Sequence, residues 1–144
     1  MKLIGVPIGV FTLDYFIKKK IDTNYRIGEK KEICNGKVIL EKHYNKGAAL
    51  NILQDRPLLL HTLTSVMLGV IAVRFLTLLK KEGHIRQKIA CGMMLGGGLS
   101  NFYDRVTKGH VVDYIRFPGK NKKLSQIVYN ISDFMIFIGA LFMS

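Results

Sequence analysis

The sequence predicts a membrane protein, mainly α-helical, with four transmembrane helices and a small β-sheet at the membrane surface. Three observations carry this reading. Apolar residues gather in four spans, charge is confined largely to the segments between them, and one Asn-Gly pair sits between β-rich runs. The 144 residues are enough for one domain, 1–144. A mean hydropathy of +0.19 is too polar for a chain wholly within lipid and slightly high for a soluble domain, so the distribution decides. High, uneven apolar content excludes disorder, and no self-similar period suggests a repeat array.

The first span, Leu3 to Ile17, is interrupted by Thr12 and Asp14 and followed at once by Lys18-Lys19-Lys20. The second, Pro57 to Leu79, carries only His61 and Arg74 as strongly polar interruptions. The third, Ile89 to Tyr103, contains Gly92, Gly96, Gly97 and Gly98, and the fourth, Ile127 to Met143, surrounds Asn130 and Asp133. These predict helices over about 3–20, 57–79, 88–105 and 127–143; crossing a bilayer takes about 20 apolar residues. The second span qualifies alone. The first and third are short, but Lys and Arg at their ends can snorkel, and the glycines let helices approach closely. A cleaved leader is disfavoured for the first span, which lacks an A-x-A-like site and carries Asp14. A soluble bundle is disfavoured by the long second span and the absence of polar helix faces.

Asn35-Gly36, between Lys30–Cys34 and Lys37–Tyr44, predicts a two-residue type I′ hairpin over about 30–44. The other large loop, Val106 to Gln126, holds Val111-Val112-Asp113-Tyr114-Ile115 and then a basic stretch with Pro118-Gly119. Lys80 to Lys88 is a short connection, so both large loops fall on one side and both termini on the other. Lys and Arg number ten in the first large loop, five in the second and five on the opposite side, and a plain count places the large loops in the cytoplasm. The net charge of +12 suits loops lying on anionic lipid rather than nucleic acid. Cys34 and Cys91 form no C-x-x-C, and His43, His61, His84 and His110 are scattered, so neither a disulfide framework nor a zinc site is expected.

Only ten residues are acidic, and Asp14, Asp104 and Asp133 lie in or at the ends of spans. An ionisable group in a membrane segment is costly and marks a functional site by default. Asp14 and Lys18 stand i,i+4 and read first as a paired helix end. Asp104–Arg105 reads similarly, with Asn101 one turn before. Asn130 stands i,i+3 to Asp133 and can orient it. Asp113 and Asp133 have no cation placed to pair on their own element: Arg116, three residues beyond Asp113 in an extended run, points to the opposite face. Two such carboxylates suit aspartic chemistry, in which one is protonated and the other activates water. The same ingredients serve a small cation or proton transporter using intramembrane aspartates.

At this point the motifs resemble those of bacterial lipoprotein signal peptidases, the signal peptidase II family. Asp14-Tyr-Phe-Ile-Lys18 resembles the family's D-x-x-x-K element, and Asn45-Lys-Gly47-Ala48-Ala49 its N-x-G-A-A element. Gly97-Gly98-Leu-Ser-Asn101-Phe-Tyr-Asp104-Arg105-Val106, with Gly109-His-Val-Val-Asp113-Tyr-Ile, is similar to its central block, and Tyr129-Asn130-Ile-Ser-Asp133 to its F-N-x-A-D. The elements occur in family order and cover nearly the whole chain.

The resemblance implies an intramembrane aspartic endopeptidase with four transmembrane helices, multi-pass in the bacterial cytoplasmic membrane, with cytoplasmic termini and an extracytoplasmic sheet and periplasmic-side loop. This orientation opposes the plain charge count. The activity implied is removal of the signal peptide from diacylglyceryl-modified prolipoproteins, before the lipidated cysteine. Asp113 and Asp133 match the catalytic dyad; Asn45, Asn101, Arg105 and Asn130 match residues lining the substrate site; Asp14, Lys18 and Asp104 match supporting positions. No metal or organic cofactor is called for. The partners implied are prolipoproteins, membrane lipids and globomycin-type cyclic peptide inhibitors, with no nucleic acid. Leu50, Ser100 and Ser132 depart from the family's usual Phe, Gly and Ala, and the segment Arg116 to Val128 is unusually basic. A transporter and a catalytically inactive lipopeptide-binding paralogue are the competing readings.

Overall fold

The computed structural model describes residues 2–48 and 51–143. Ala49 of the Asn45–Ala49 element, the Leu50 departure, and the ends of the expected domain, Met1 and Ser144, lie outside the described residues. Four helices, α1 (Gly5–Asn24), α2 (Pro57–Leu79), α3 (Ile85–Lys108) and α4 (Ile131–Met143), carry a four-stranded sheet at one end. The strands are β1 (Lys30–Ile33), β2 (Val38–Asn45), β3 (Val111–Arg116) and β4 (Val128–Tyr129), in the order β1-β2-β3-β4 and antiparallel throughout.

α1 continues through the lysine run to Asn24 because the run is amphipathic. Pro7, Asp14, Lys18 and Ile21 form one buried stripe at helical spacing, while Lys19 and Lys20 are exposed. α3 is the central element and packs against α1, α2 and α4. Its glycines allow this: a Cβ on Gly96 would stand 2.5 Å from the Pro7 carbonyl oxygen, and one on Gly97 2.7 Å from that of Ser132. Both approaches are closer than any side chain permits, so backbone meets backbone along two faces of α3.

The fourth helix starts later than the apolar run suggested. Val128 and Tyr129 pair with Arg116 and Ile115, so this part of the expected 127–143 helix is strand. Asn130 then caps α4 reciprocally: Asp133 N–H donates to Asn130 Oδ1 at 2.9 Å, and Asn130 N–H donates to Asp133 Oδ2 at 2.9 Å. At the hairpin, Lys37 N–H donates to the Cys34 carbonyl at 3.2 Å, with Asn35 and Gly36 both at positive φ. That is the primed turn the Asn-Gly pair favours. Cys34 is also left-handed, at φ 53°, and the strand ladder ends one pair short, at Ile33 opposite Val38.

Alternation along β3 sorts its side chains. Val112 and Tyr114 pack with Ile21 of α1, while Val111 and Asp113 line a cleft on the other face. A clamp fixes the sheet to α1: Asp22 accepts from Tyr44 Oη at 2.6 Å and pairs with Lys42 Nζ at 3.0 Å.

Among the described residues, α2 alone is a helix both long and apolar enough to cross a membrane. Leu58, Val66, Met67, Val70 and Val73 along it are each 60% exposed or more. Continuous apolar exposure on this scale marks a surface that faces lipid or a partner rather than water. α1 and α3 carry ionisable residues, but several of these point into the bundle.

Candidate active site

Asp113 and Asp133 come from β3 and the first turn of α4, and asparagines hold both. Asp113 Oδ1 accepts from Asn130 Nδ2 at 2.7 Å, and its Oδ2 accepts from Asn45 Nδ2 at 3.1 Å. Asp133 Oδ1 accepts from Asn101 Nδ2 at 3.0 Å, while its Oδ2 takes the Asn130 backbone N–H. Asn130 Nδ2 also donates to Asn101 Oδ1 at 3.0 Å. Thus β2, α3, β3 and α4 each supply one member of a single polar cluster, with Asn130 at its centre. Asn101 makes these bonds across the bundle rather than to Asp104 or Arg105 on its own helix.

Asp14, Lys18 and Asp104 form a second, fully buried cluster behind the first. Lys18 Nζ stands 2.8 Å from Asp14 Oδ2 and 3.4 Å from Asp104 Oδ2. It donates to Asn101 Oδ1 at 2.8 Å, which joins the two clusters. Asp14 is further satisfied by the hydroxyls of Ser100 at 2.7 Å, Ser132 at 2.5 Å and Tyr114 at 2.8 Å. Asp104 accepts the Val112 N–H at 3.1 Å and pairs with Lys108 at 3.2 Å. An ion pair this deep is tolerable only when its remaining lone pairs and protons are satisfied, and here they are. Asp14 and Lys18 therefore do pair, but buried within α1 rather than at its end, and Lys18 also bonds Asn101.

Reading the sequence missed Tyr114 and treated Ser100 and Ser132 only as departures from a pattern. For Ser100 and Ser132 a hydroxyl in an apolar helix was the available signal; Tyr114, in β3, offered none. Their partner, Asp14, lies more than 80 positions away from each of the three, beyond the reach of local spacing.

A cavity of about 620 Å³ opens in front of the dyad. Asn45, Asn101, Asp113 and Asp133 form its polar head; Phe134, Ile136, Phe137 and Ala140 extend it as an apolar groove along α4. Phe117, Tyr129 and Phe134 pack as an aromatic wall with ring centroids 5.6 to 6.1 Å apart. Arg105, which lines the same cavity, donates from Nη2 to the Gly47 carbonyl at 3.0 Å, and its buried Nε has no partner among the described residues.

A sequence profile described as "Signal peptidase (SPase) II" matches residues 6–144. The chain belongs to the signal peptidase II family. Relatives named lipoprotein signal peptidase agree with this. One from Shouchella clausii is 33% identical over 134 residues, covering 93% of this chain and 84% of its own. One from Brevibacillus brevis is 32% identical over 130 residues, covering 90% and 83%. Two solved structures described as bacterial membrane enzymes share the fold. One superposes with a TM-score of 0.82 at 26% identity, over 99% of this chain and 84% of the other. The second gives 0.78 at 26% identity, over 99% and 89%. This signal peptidase II family member is a membrane protein, mainly helical with a small antiparallel sheet.

The carboxyl of Asp113 is pushed up to about 8, first by burial and then by the neighbouring Asp133 charge, against the opposing hydrogen bonds from Asn45 and Asn130. It is therefore a proton carrier near neutrality. Tyr114 is pushed above its ordinary range by burial and by Asp14, which keeps its hydroxyl a donor to that carboxylate.

Proposed function

We propose that this chain is an intramembrane aspartic endopeptidase that removes the signal peptide from diacylglyceryl-modified prolipoproteins, cleaving before the lipidated cysteine. The observation that carries the reading is the joining of Asp113 and Asp133 through Asn130 at the polar head of an apolar groove. In this reading all four helices span the bacterial cytoplasmic membrane, and the sheet and the β3–α4 loop lie outside the cytoplasm. Membrane lipids bound the groove, which also suits globomycin-type cyclic peptide inhibitors.

The chemistry follows from the proton inventory. The two carboxyls share one proton near neutrality, and in the productive form Asp113 carries it while Asp133 is the base. Asp133 takes a proton from water, which attacks the scissile carbonyl, while Asp113 donates to the carbonyl oxygen. The amine leaves after protonation from the same pair. Asn101 and Asn130 hold the carboxylates in place, and Lys18, through Asn101, fixes which way that amide points. Arg105 offers its free Nε to a substrate backbone carbonyl. A transporter reading would need acids spread across the membrane depth. Asp14, Asp113 and Asp133 instead gather at the sheet end of the bundle.

The test is incubation of the purified protein in detergent or liposomes with a diacylglyceryl-modified prolipoprotein. The expected result is a mass loss equal to the signal peptide. An unchanged substrate mass, with the protein folded, would overturn the reading.

A further inference from the structure

A second cavity, of about 560 Å³, meets the first at Asp113. Asn45, Asp113, Ile127 and Val128 line both, so Asp113 stands in the wall between them. Both walls are largely apolar, and they differ in the polar groups set into them. The first runs along the apolar face of α4. The second combines Leu124, Ile127 and Val128 with His43, Asn51, Asn121, Lys123 and Gln126. His43 is the register partner of Asp113 across β2 and β3, so the two side chains share a face. Among the described residues, the side chains of His43, Asn51, Lys123 and Gln126 make no hydrogen bond of their own. The loop that supplies Lys123 is held by its own turn: Asn121 Oδ1 accepts from Lys123 N–H at 3.1 Å, and Ser125 N–H donates to the Asn121 carbonyl at 2.9 Å.

A peptide cleaved at the dyad has two dissimilar halves. The half before the scissile bond is an apolar signal segment, which matches the groove along α4. The half after it is hydrated chain, which has to leave the dyad on a polar side. From Tyr114 to Ser132 the sequence has Arg116, Lys120, Lys122 and Lys123 and no acid. Arg116 is committed to Glu41, at 3.2 Å, which leaves the three lysines as the loop's uncompensated charge. We infer that this second cavity is the subsite for the residues just after the lipidated cysteine, and that Lys123 selects acidic side chains there. The inference rests on the peptidase reading above and adds a specificity determinant to it.

The test uses two synthetic diacylglyceryl-cysteine prolipopeptides in uncharged detergent. They differ only at the second to fourth residues after the cysteine, Asp-Glu-Asp in one and Ser-Asn-Ser in the other. Wild type should cleave the acidic peptide with kcat/KM higher by about threefold to fivefold, expressed in KM, the size of a partly exposed ion pair. The preference should fall with salt. Lys123→Glu should abolish or reverse it while leaving cleavage of the neutral peptide within about twofold. An unchanged preference in Lys123→Glu, or no preference in wild type, overturns the subsite. So does a loss shared equally by both peptides that appears only in vesicles of anionic lipid, which would assign Lys123 to headgroups. Failure of wild type to cleave either peptide overturns the peptidase reading and the subsite with it.

Discussion

Asn130 binds Asp113 with its side chain, Nδ2 to Oδ1 at 2.7 Å, and Asp133 with its backbone N–H, 2.9 Å from Oδ2. One residue at the start of α4 thus sets the spacing of both carboxylates. It does so from a cap, the one place on a helix where side chain and backbone N–H both face outward with bonds to give.

Asn130→Ala should therefore damage two things at once. Loss of the cap should lower stability by about 0.5–2 kcal/mol, read as a shift in the melting midpoint. Loss of the bridge should lower kcat far more than this destabilisation accounts for. Asn130→Ser, which keeps a capping oxygen but loses the Nδ2 donor, should recover the stability without the activity. Equal recovery of both would make Asn130 a cap and nothing more.

Asp113→Asn and Asp133→Asn should each lower prolipoprotein cleavage by about 10²-fold or more, because hydrolysis needs one acid and one base. The double variant should be little worse than either single one, since the pair acts as a unit. Near-normal cleavage by either variant, at matched expression and melting behaviour, would return an aspartate-based transporter to consideration.

The raised carboxyl of Asp113 gives a pH signature. Its proton is bound in the folded protein up to a pH of about 8, against 3.8 for an ordinary aspartate. The stability it contributes is fully present below the unfolded value and is lost as pH rises through the folded one. Activity should fall on the alkaline side around that same pH, as the acid member of the pair deprotonates. An activity profile flat to pH 10, or a melting midpoint that rises steadily from pH 5 to 9, would contradict this.

Gly97 tests whether α3–α4 contact positions the dyad. A Cβ there would stand 2.7 Å from the Ser132 carbonyl oxygen, one residue before Asp133. Gly97→Val should push the helices apart, cost about 1–3 kcal/mol, and separate Asn101 from Asp133 with loss of cleavage. Gly69→Ala on α2, where a Cβ meets nothing within 4 Å, is the control and should change little.

Orientation has a built-in reporter. Cys34, at the hairpin turn, is exposed, whereas Cys91 is buried. An impermeant maleimide added to intact cells should label the native protein at Cys34 alone. Labelling only after permeabilisation would put the sheet in the cytoplasm, as the plain count of lysines and arginines does.

What the sequence determined by itself is local or strongly patterned. The long apolar run at Pro57–Leu79 folds as α2 because nothing in it competes with a helix, and Asn35-Gly36 turns the chain because both tolerate positive φ. The dyad candidates Asp113 and Asp133 were legible as acids without a cation placed to pair on their own element. The tertiary structure decided what those acids touch. Val128 and Tyr129 are apolar enough for a helix, yet they are strand because Ile115 and Arg116 offer a ladder edge. Ser100, Ser132 and Tyr114 became the donors that make a buried Asp14 tolerable, and the buried Lys18 came to steer Asn101. Their spacing in sequence carries no trace of this. Burial of charge in a bundle is settled by which distant hydrogen-bonding groups arrive together, and only packing brings them there.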